Sequence, residues 1–141
     1  LSFISSFALN KSGFSINLFI SNPFTILEFI FLFASIYPKP VSAEVGTIPK
    51  VTNFPFLANG KALALGEDEG FIKTIFDKNT GELLGAHLVG AEVTELISTY
   101  IVGKGLETTP DEFLSNIFPH PTMSEMLYES VLSSESKAIH Y

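Results

Sequence analysis

Gly70-Phe71-Ile72-Lys73-Thr74-Ile75-Phe76, then Asp77-Lys78-Asn79-Thr80-Gly81, then Leu83-Leu84-Gly85-Ala86-His87-Leu88-Val89 decide the fold. The first run is β-branched and aromatic, which suits a strand. The second gathers Asp, Asn and Gly into a turn signal. The third is a return strand, so the whole predicts an antiparallel hairpin. Then the period changes. Val93, Leu96, Ile97, Tyr100 and Ile101 recur at helical spacing and mark one face of an α-helix. Gly103 and Gly105 are expected to end it, with Lys104 favourable at the C-terminal dipole.

Upstream, Val51-Thr52-Asn53-Phe54-Pro55-Phe56 predicts an edge strand, because Pro55 has no N–H to give a ladder. Ala58-Asn59-Gly60-Lys61-Ala62 reads as a loop or bend leading to Leu63-Ala64-Leu65. Downstream, Thr109-Pro110-Asp111-Glu112 combines an N-cap, a first-turn proline and a capping-box acid, so a short helix starts there. Thr122 reads as the next N-cap with Glu125 as its capping-box partner, opening a helix over about residues 123–132. The polar tail, residues 133–141, is expected to fray. Strands followed by helices give an α+β fold: a mostly antiparallel sheet with helices on one face.

A chain of 141 residues allows one domain of ordinary size. Its formal net charge of −7 argues against a nucleic-acid partner, which would select a basic face. There is no cysteine, so this chain carries no disulfide, no thiolate metal site and no cysteine redox chemistry. His87, His120 and His140 lie far apart in sequence and form no metal motif of known spacing.

The composition divides the chain into residues 1–36, 37–132 and the tail 133–141. Eight of the 14 phenylalanines fall in the first piece, and in residues 1–40 only Lys11, Glu28 and Lys39 are charged. The densest apolar run, residues 26–36, contains Glu28 and is shorter than the roughly 20 residues a membrane span needs. No membrane partner is expected from it. One reading makes this piece a signal peptide, with Val41-Ser42-Ala43 as a small-residue cleavage site. Against it, the first residue is Leu and no basic cluster precedes the apolar core. The other reading gives the piece no designed role and keeps it out of the α+β core, with the protein in the cytoplasm.

Two candidate residues have ordinary explanations. Lys73 reads as a solvated strand residue. His87, in an apolar strand, reads as a hydrogen-bonded core histidine. His120 is different. It sits in Ile117-Phe118-Pro119-His120-Pro121-Thr122-Met123-Ser124-Glu125-Met126-Leu127, locked between two prolines that favour extended backbone. The segment delivers an imidazole to the mouth of a helix whose first turn carries a carboxylate. From these residues alone, two readings stand: a loop histidine beside a capping glutamate, or an acid–base pair.

His120-Pro121-Thr122-x-Ser124-Glu125 before a helix resembles the C-terminal signature of the flavin-dependent pyridine nucleotide-disulfide oxidoreductases, in their dihydrolipoamide dehydrogenase branch. Asn53-Phe54-Pro55-Phe56-Leu57-Ala58-Asn59-Gly60-Lys61-Ala62 and residues 70–95, with Gly81-Glu82-Leu83-Leu84-Gly85-Ala86-His87, carry the same resemblance. It spans about residues 37–132; residues 37–47 resemble the entry to the family's last domain only loosely.

The resemblance implies a C-terminal dimerisation domain. His120 would be the acid–base residue and Glu125 the group that orients it. His120 and Pro121 would touch the FAD of the partner subunit. The reaction implied is dihydrolipoamide plus NAD giving lipoamide plus NADH, in a homodimer or with a full-length subunit. Many members place a second histidine two residues before the catalytic one; this chain has Phe118 there. Thiols attack poorly until deprotonated, so a base of near-neutral pKa suits the chemistry. FAD and NAD belong to the complete enzyme and none is expected on this chain alone, which lacks a cysteine pair and a Gly-x-Gly-x-x-Gly turn. The alternative is a non-catalytic dimerisation or binding module, exported if residues 1–43 are a signal.

Overall fold

The computed structural model describes residues 47–141 in full and the backbone of three earlier strands, residues 4–8, 15–20 and 32–37. Those strands are β1 (Ile4–Ala8), β2 (Ser15–Ile20) and β3 (Leu32–Tyr37). Then follow β4 (Pro49–Pro55), a 3-10 turn (Phe56–Ala58), α1 (Gly60–Leu65), β5 (Gly70–Asp77) and β6 (Leu83–Gly90). Three helices complete the chain: α2 (Val93–Gly105), α3 (Pro110–Leu114) and α4 (Glu125–Ser134). The sheet order is β1-β2-β3-β6-β5-β4, and every pair is antiparallel. The α+β class read from the sequence is the class observed.

The hairpin is β5 and β6, with Phe71 opposite Val89 and Lys73 opposite His87. Asp77 closes its turn by accepting the Asn79 N–H on Oδ1 at 2.7 Å. Alternation along the strands puts Phe54, Ile72, Phe76, Ala86 and Leu88 on one buried face. Helix α2 covers β6 there, and α4 covers β4 and β5. Tyr100 and Leu127 lie fully inside this core.

Inside the apolar layer sits a small hydroxyl cluster. Thr74 Oγ1 lies 2.8 Å from Thr52 Oγ1 and 2.7 Å from Ser130 Oγ, and Thr52 donates to the Ser130 carbonyl at 3.0 Å. The Tyr100 hydroxyl donates to the Leu127 carbonyl at 3.3 Å. Buried polar groups must find such partners, and these fix the height and rotation of α4 on the sheet.

Five local expectations need correction. Residues 60–65 are helix α1, because the Asn59 side chain caps it by accepting the Ala62 N–H at 2.8 Å. Gly103 lies within α2; a Cβ there would meet the Phe113 ring at 2.8 Å, so its smallness serves close packing with α3. Helix α4 starts at Glu125 with Ser124 as its cap residue, and Thr122 stands in the turn before it. The tail is not frayed: buried Glu129 accepts the Ile139 N–H at 2.9 Å, and the Tyr141 ring meets Phe54 edge-on at 6.2 Å. Finally, β3 pairs with β6 from Leu32↔Gly90 to Ile36↔Ala86, so a boundary at residue 36 falls inside a strand. The first piece is joined to the sheet through backbone pairing on β6's second edge, which composition does not forecast. The suggested cleavage site at residues 41–43 and most of the loosely similar stretch 37–47 lie outside the described residues.

His87 sits on the sheet face away from the helices, half-buried beside Lys73. Burial, then the Lys73 charge, lowers its pKa from the ordinary value near 6.5. A histidine that resists protonation in the fold binds fewer protons than it does unfolded. Stability should therefore decline as pH falls through the ordinary imidazole range. Chemical denaturation between pH 7.5 and 5 should show this, and His87→Gln should flatten the slope in that window.

Candidate active site

Among the described residues, the His120–Glu125 pair is formed. His120 Nδ1 lies 2.8 Å from Glu125 Oε1. The second carboxylate oxygen, Oε2, accepts the Thr122 N–H at 2.9 Å. This is the reciprocal half of a capping box. The other half is absent, because the Thr122 hydroxyl instead donates to the Pro119 carbonyl at 2.7 Å. That bond closes the Pro119-His120-Pro121 segment into a tight loop. Ser124 Oγ lies 2.9 Å from the same hydroxyl.

Support comes from further away. Asn59, the cap of α1, donates from Nδ2 to the Thr122 carbonyl at 3.2 Å. It thus ties the loop to the sheet side of the domain. Phe118 packs against the Tyr128 ring at 5.4 Å and holds the start of the loop onto α4. Sequence reasoning missed Asn59. The available signal was an Asn immediately before a helix-forming run, obscured by the following glycine.

The electrostatics follow from these contacts. Partial burial pushes the Glu125 pKa up, but the Thr122 N–H, the His120 hydrogen bond and the His120 and His140 charges outweigh it. The carboxyl ends below its ordinary range and is ionised at neutral pH. An ionised carboxylate on Nδ1 favours the tautomer with the proton there. The opposite ring nitrogen, Nε2, then carries a lone pair. The His120 side chain is 79% exposed, so that edge is open to a group arriving from outside the chain.

A second imidazole–carboxylate pair lies on the same helix. His140 Nδ1 is 2.9 Å from Glu129 Oε1, with the carboxylate buried and the ring mostly exposed. No group of three His, Cys, Asp or Glu among the described residues is placed to hold a metal ion.

The turn from β6 into α2 carries Gly90, where a Cβ would meet the Phe56 ring at 2.5 Å, so its smallness serves close packing of that ring. The turn's last residue before the helix is Glu92, which would repel a phosphate.

Residues 39–131 match the family described as pyridine nucleotide-disulphide oxidoreductase, dimerisation domain. A dihydrolipoyl dehydrogenase of Zymomonas mobilis is 50% identical over 115 residues, covering 74% of this chain and 25% of that protein. One from Rhizobium etli is 57% identical over 97 residues, covering 69% of this chain and 20% of its own length. The chain thus spans about a quarter or less of these relatives. Among solved structures, LpdA of Mycobacterium tuberculosis shares the fold with TM-score 0.65 at 21% identity, over 73% of this chain and 23% of that one. The flavoprotein disulfide reductase RclA of Escherichia coli gives TM-score 0.64 at 25% identity, over 71% and 23%. With the sheet, the helices and the matched span in agreement, this chain belongs to the dimerisation-domain family of the pyridine nucleotide-disulphide oxidoreductases.

Proposed function

We propose that this chain is the C-terminal interface domain of a dihydrolipoyl dehydrogenase, where His120 is the acid–base residue and Glu125 its partner. The observation that carries this reading is the 2.8 Å Nδ1–carboxylate contact beside an exposed ring edge. Oxidising dihydrolipoamide to lipoamide removes two protons and two electrons. The thiol must first become a thiolate. His120 Nε2 takes that proton, and the Glu125 carboxylate stabilises the imidazolium that results. The Thr122–Pro119 hydrogen bond and the two prolines hold the ring in place, so little ordering entropy is lost when substrate arrives. When bound in the complete enzyme, FAD and NAD supply the acceptance of the two electrons. The exposed edge of His120 leaves room for a reacting sulfur and a flavin held outside this domain; the family resemblance assigns both to the second subunit of a homodimer.

The test is a graft. Residues 32–141, which keep β3 whole on β6, replace their counterpart in a complete dihydrolipoyl dehydrogenase, and dihydrolipoamide-dependent NADH formation is measured. Activity should survive. Glu125→Gln should lower turnover on the order of tenfold, because it orients the base without taking the proton. Its melting temperature should barely move, since Gln can still accept the Thr122 N–H. A graft that dimerises and holds flavin yet makes no NADH would overturn the reading.

A further inference from the structure

Glu125 and Glu129 stand one turn apart on the same face of α4. Each carries an imidazole through Nδ1: His120 from the loop before the helix, His140 from the tail after it. We propose that His140, held by Glu129, is a positioning residue of the site that sets the charge felt by the His120–Glu125 pair.

The anchoring is complete. Glu129 Oε2 accepts the Ile139 N–H at 2.9 Å and Oε1 takes the His140 ring. The Glu129 side chain is only 7% exposed. A carboxylate so buried needs these partners, and their loss would leave an uncompensated charge. The tail is therefore fixed in register on α4, and His140 cannot drift from the helix face. The i, i+4 placement of Glu125 and Glu129 brings the His140 charge near Glu125, where it adds the smallest of the contributions that lower that carboxyl's pKa, after the Thr122 N–H and His120. The titratable groups set around Glu125 are then His120 from the loop, Glu129 from the next turn and His140 from the tail. A cation at His140 and an anion at Glu129 act on Glu125 with opposite signs.

This deepens the acid–base reading and rests on it, but its test does not need catalysis. The whole 141-residue chain is labelled with ¹³C at glutamate side chains, and the Glu125 carboxyl is titrated by NMR. In His140→Gln the Glu125 midpoint should move up, because a nearby cation is gone. In Glu129→Gln it should move down, because a nearby anion is gone while Gln still accepts the tail N–H. Opposite signs are the signature. If both variants shift the midpoint the same way, the tail acts only by packing and the proposal fails. It fails equally if neither moves it. Should Glu129→Gln not fold, the half-exposed His140→Gln decides alone: an unmoved midpoint overturns the proposal. An inactive graft with opposite shifts here would sink the catalytic reading and leave the electrostatic coupling standing.

Discussion

In the grafted enzyme, His120→Gln should lower turnover by roughly 10²–10⁴-fold, the usual worth of a positioned general acid–base. Glutamine keeps a polar side chain near Glu125, so the loop retains a partner for the carboxylate. What disappears is a nitrogen able to accept a proton near neutral pH. The loss should fall on turnover more than on KM, because substrate binds while its thiol stays protonated. Melting temperature should hold, since the ring is mostly solvated and contributes little packing. Stopped-flow measurement of the reductive step, at pH 7 and again near pH 9, separates the causes. Higher pH supplies thiolate without a base and should recover part of the lost rate. A variant that keeps full turnover at pH 7 would reduce His120 to a loop residue and Glu125 to a cap.

The largest stability effect should come from Gly70→Ala. Gly70 and Gly90 face each other where the hairpin opens, at φ of 143° and 138°. A Cβ on Gly70 would sit 2.2 Å from the Val89 carbonyl oxygen and 3.1 Å from Gly90 Cα. Both obstacles are backbone, which cannot swing aside as a side-chain tip can. Strained φ and forced strand separation add, so the cost is about 3 kcal/mol. The melting temperature should fall by roughly 10–20 °C. Gly60→Ala is the control: nothing lies within 4 Å of its Cβ position, so the same change should move the transition far less. Equal transitions for the two variants would show that strands β5 and β6 do not close so tightly at that end.

What the sequence made legible was whatever local pattern could specify. The β5–β6 hairpin was readable because Asp77 to Gly81 is a turn in itself, flanked by β-branched runs. The capping box of α3 was readable because Thr109 and Glu112 are three residues apart and bond each other directly. His120 and Glu125 were readable as a pair through resemblance, and the 2.8 Å contact is what a fixed loop and a helix start produce. What escaped depended on distant partners. Asn59 reaches Thr122, 63 residues away, and Glu129 collects the tail 10 and 11 residues on. Thr52, Thr74 and Ser130 carry no local signal of a shared cluster; only the packed sheet and helix bring their hydroxyls together. The pairing of β3 with β6 likewise involves backbone groups that any sequence offers.

Strand β4, one of the two outer strands of the sheet, has a consequence for how this protein behaves in crowded solution. The Lys78 N–H donates to the Ile48 carbonyl at 2.7 Å, and Pro49 stands opposite Asp77. In an antiparallel ladder the even residues of β4 therefore bond inward to β5, and residues 49, 51, 53 and 55 turn their backbone to open solvent. Two of those positions are proline and have no N–H. A strand from another molecule would find donors only at Val51 and Asn53, with nothing to hold either end. The prolines thus act as guards against edge-to-edge polymerisation along this side of the sheet, which is otherwise an unfinished template. A domain with such an edge offers a passing copy of itself too few donors on the β4 side to extend the sheet.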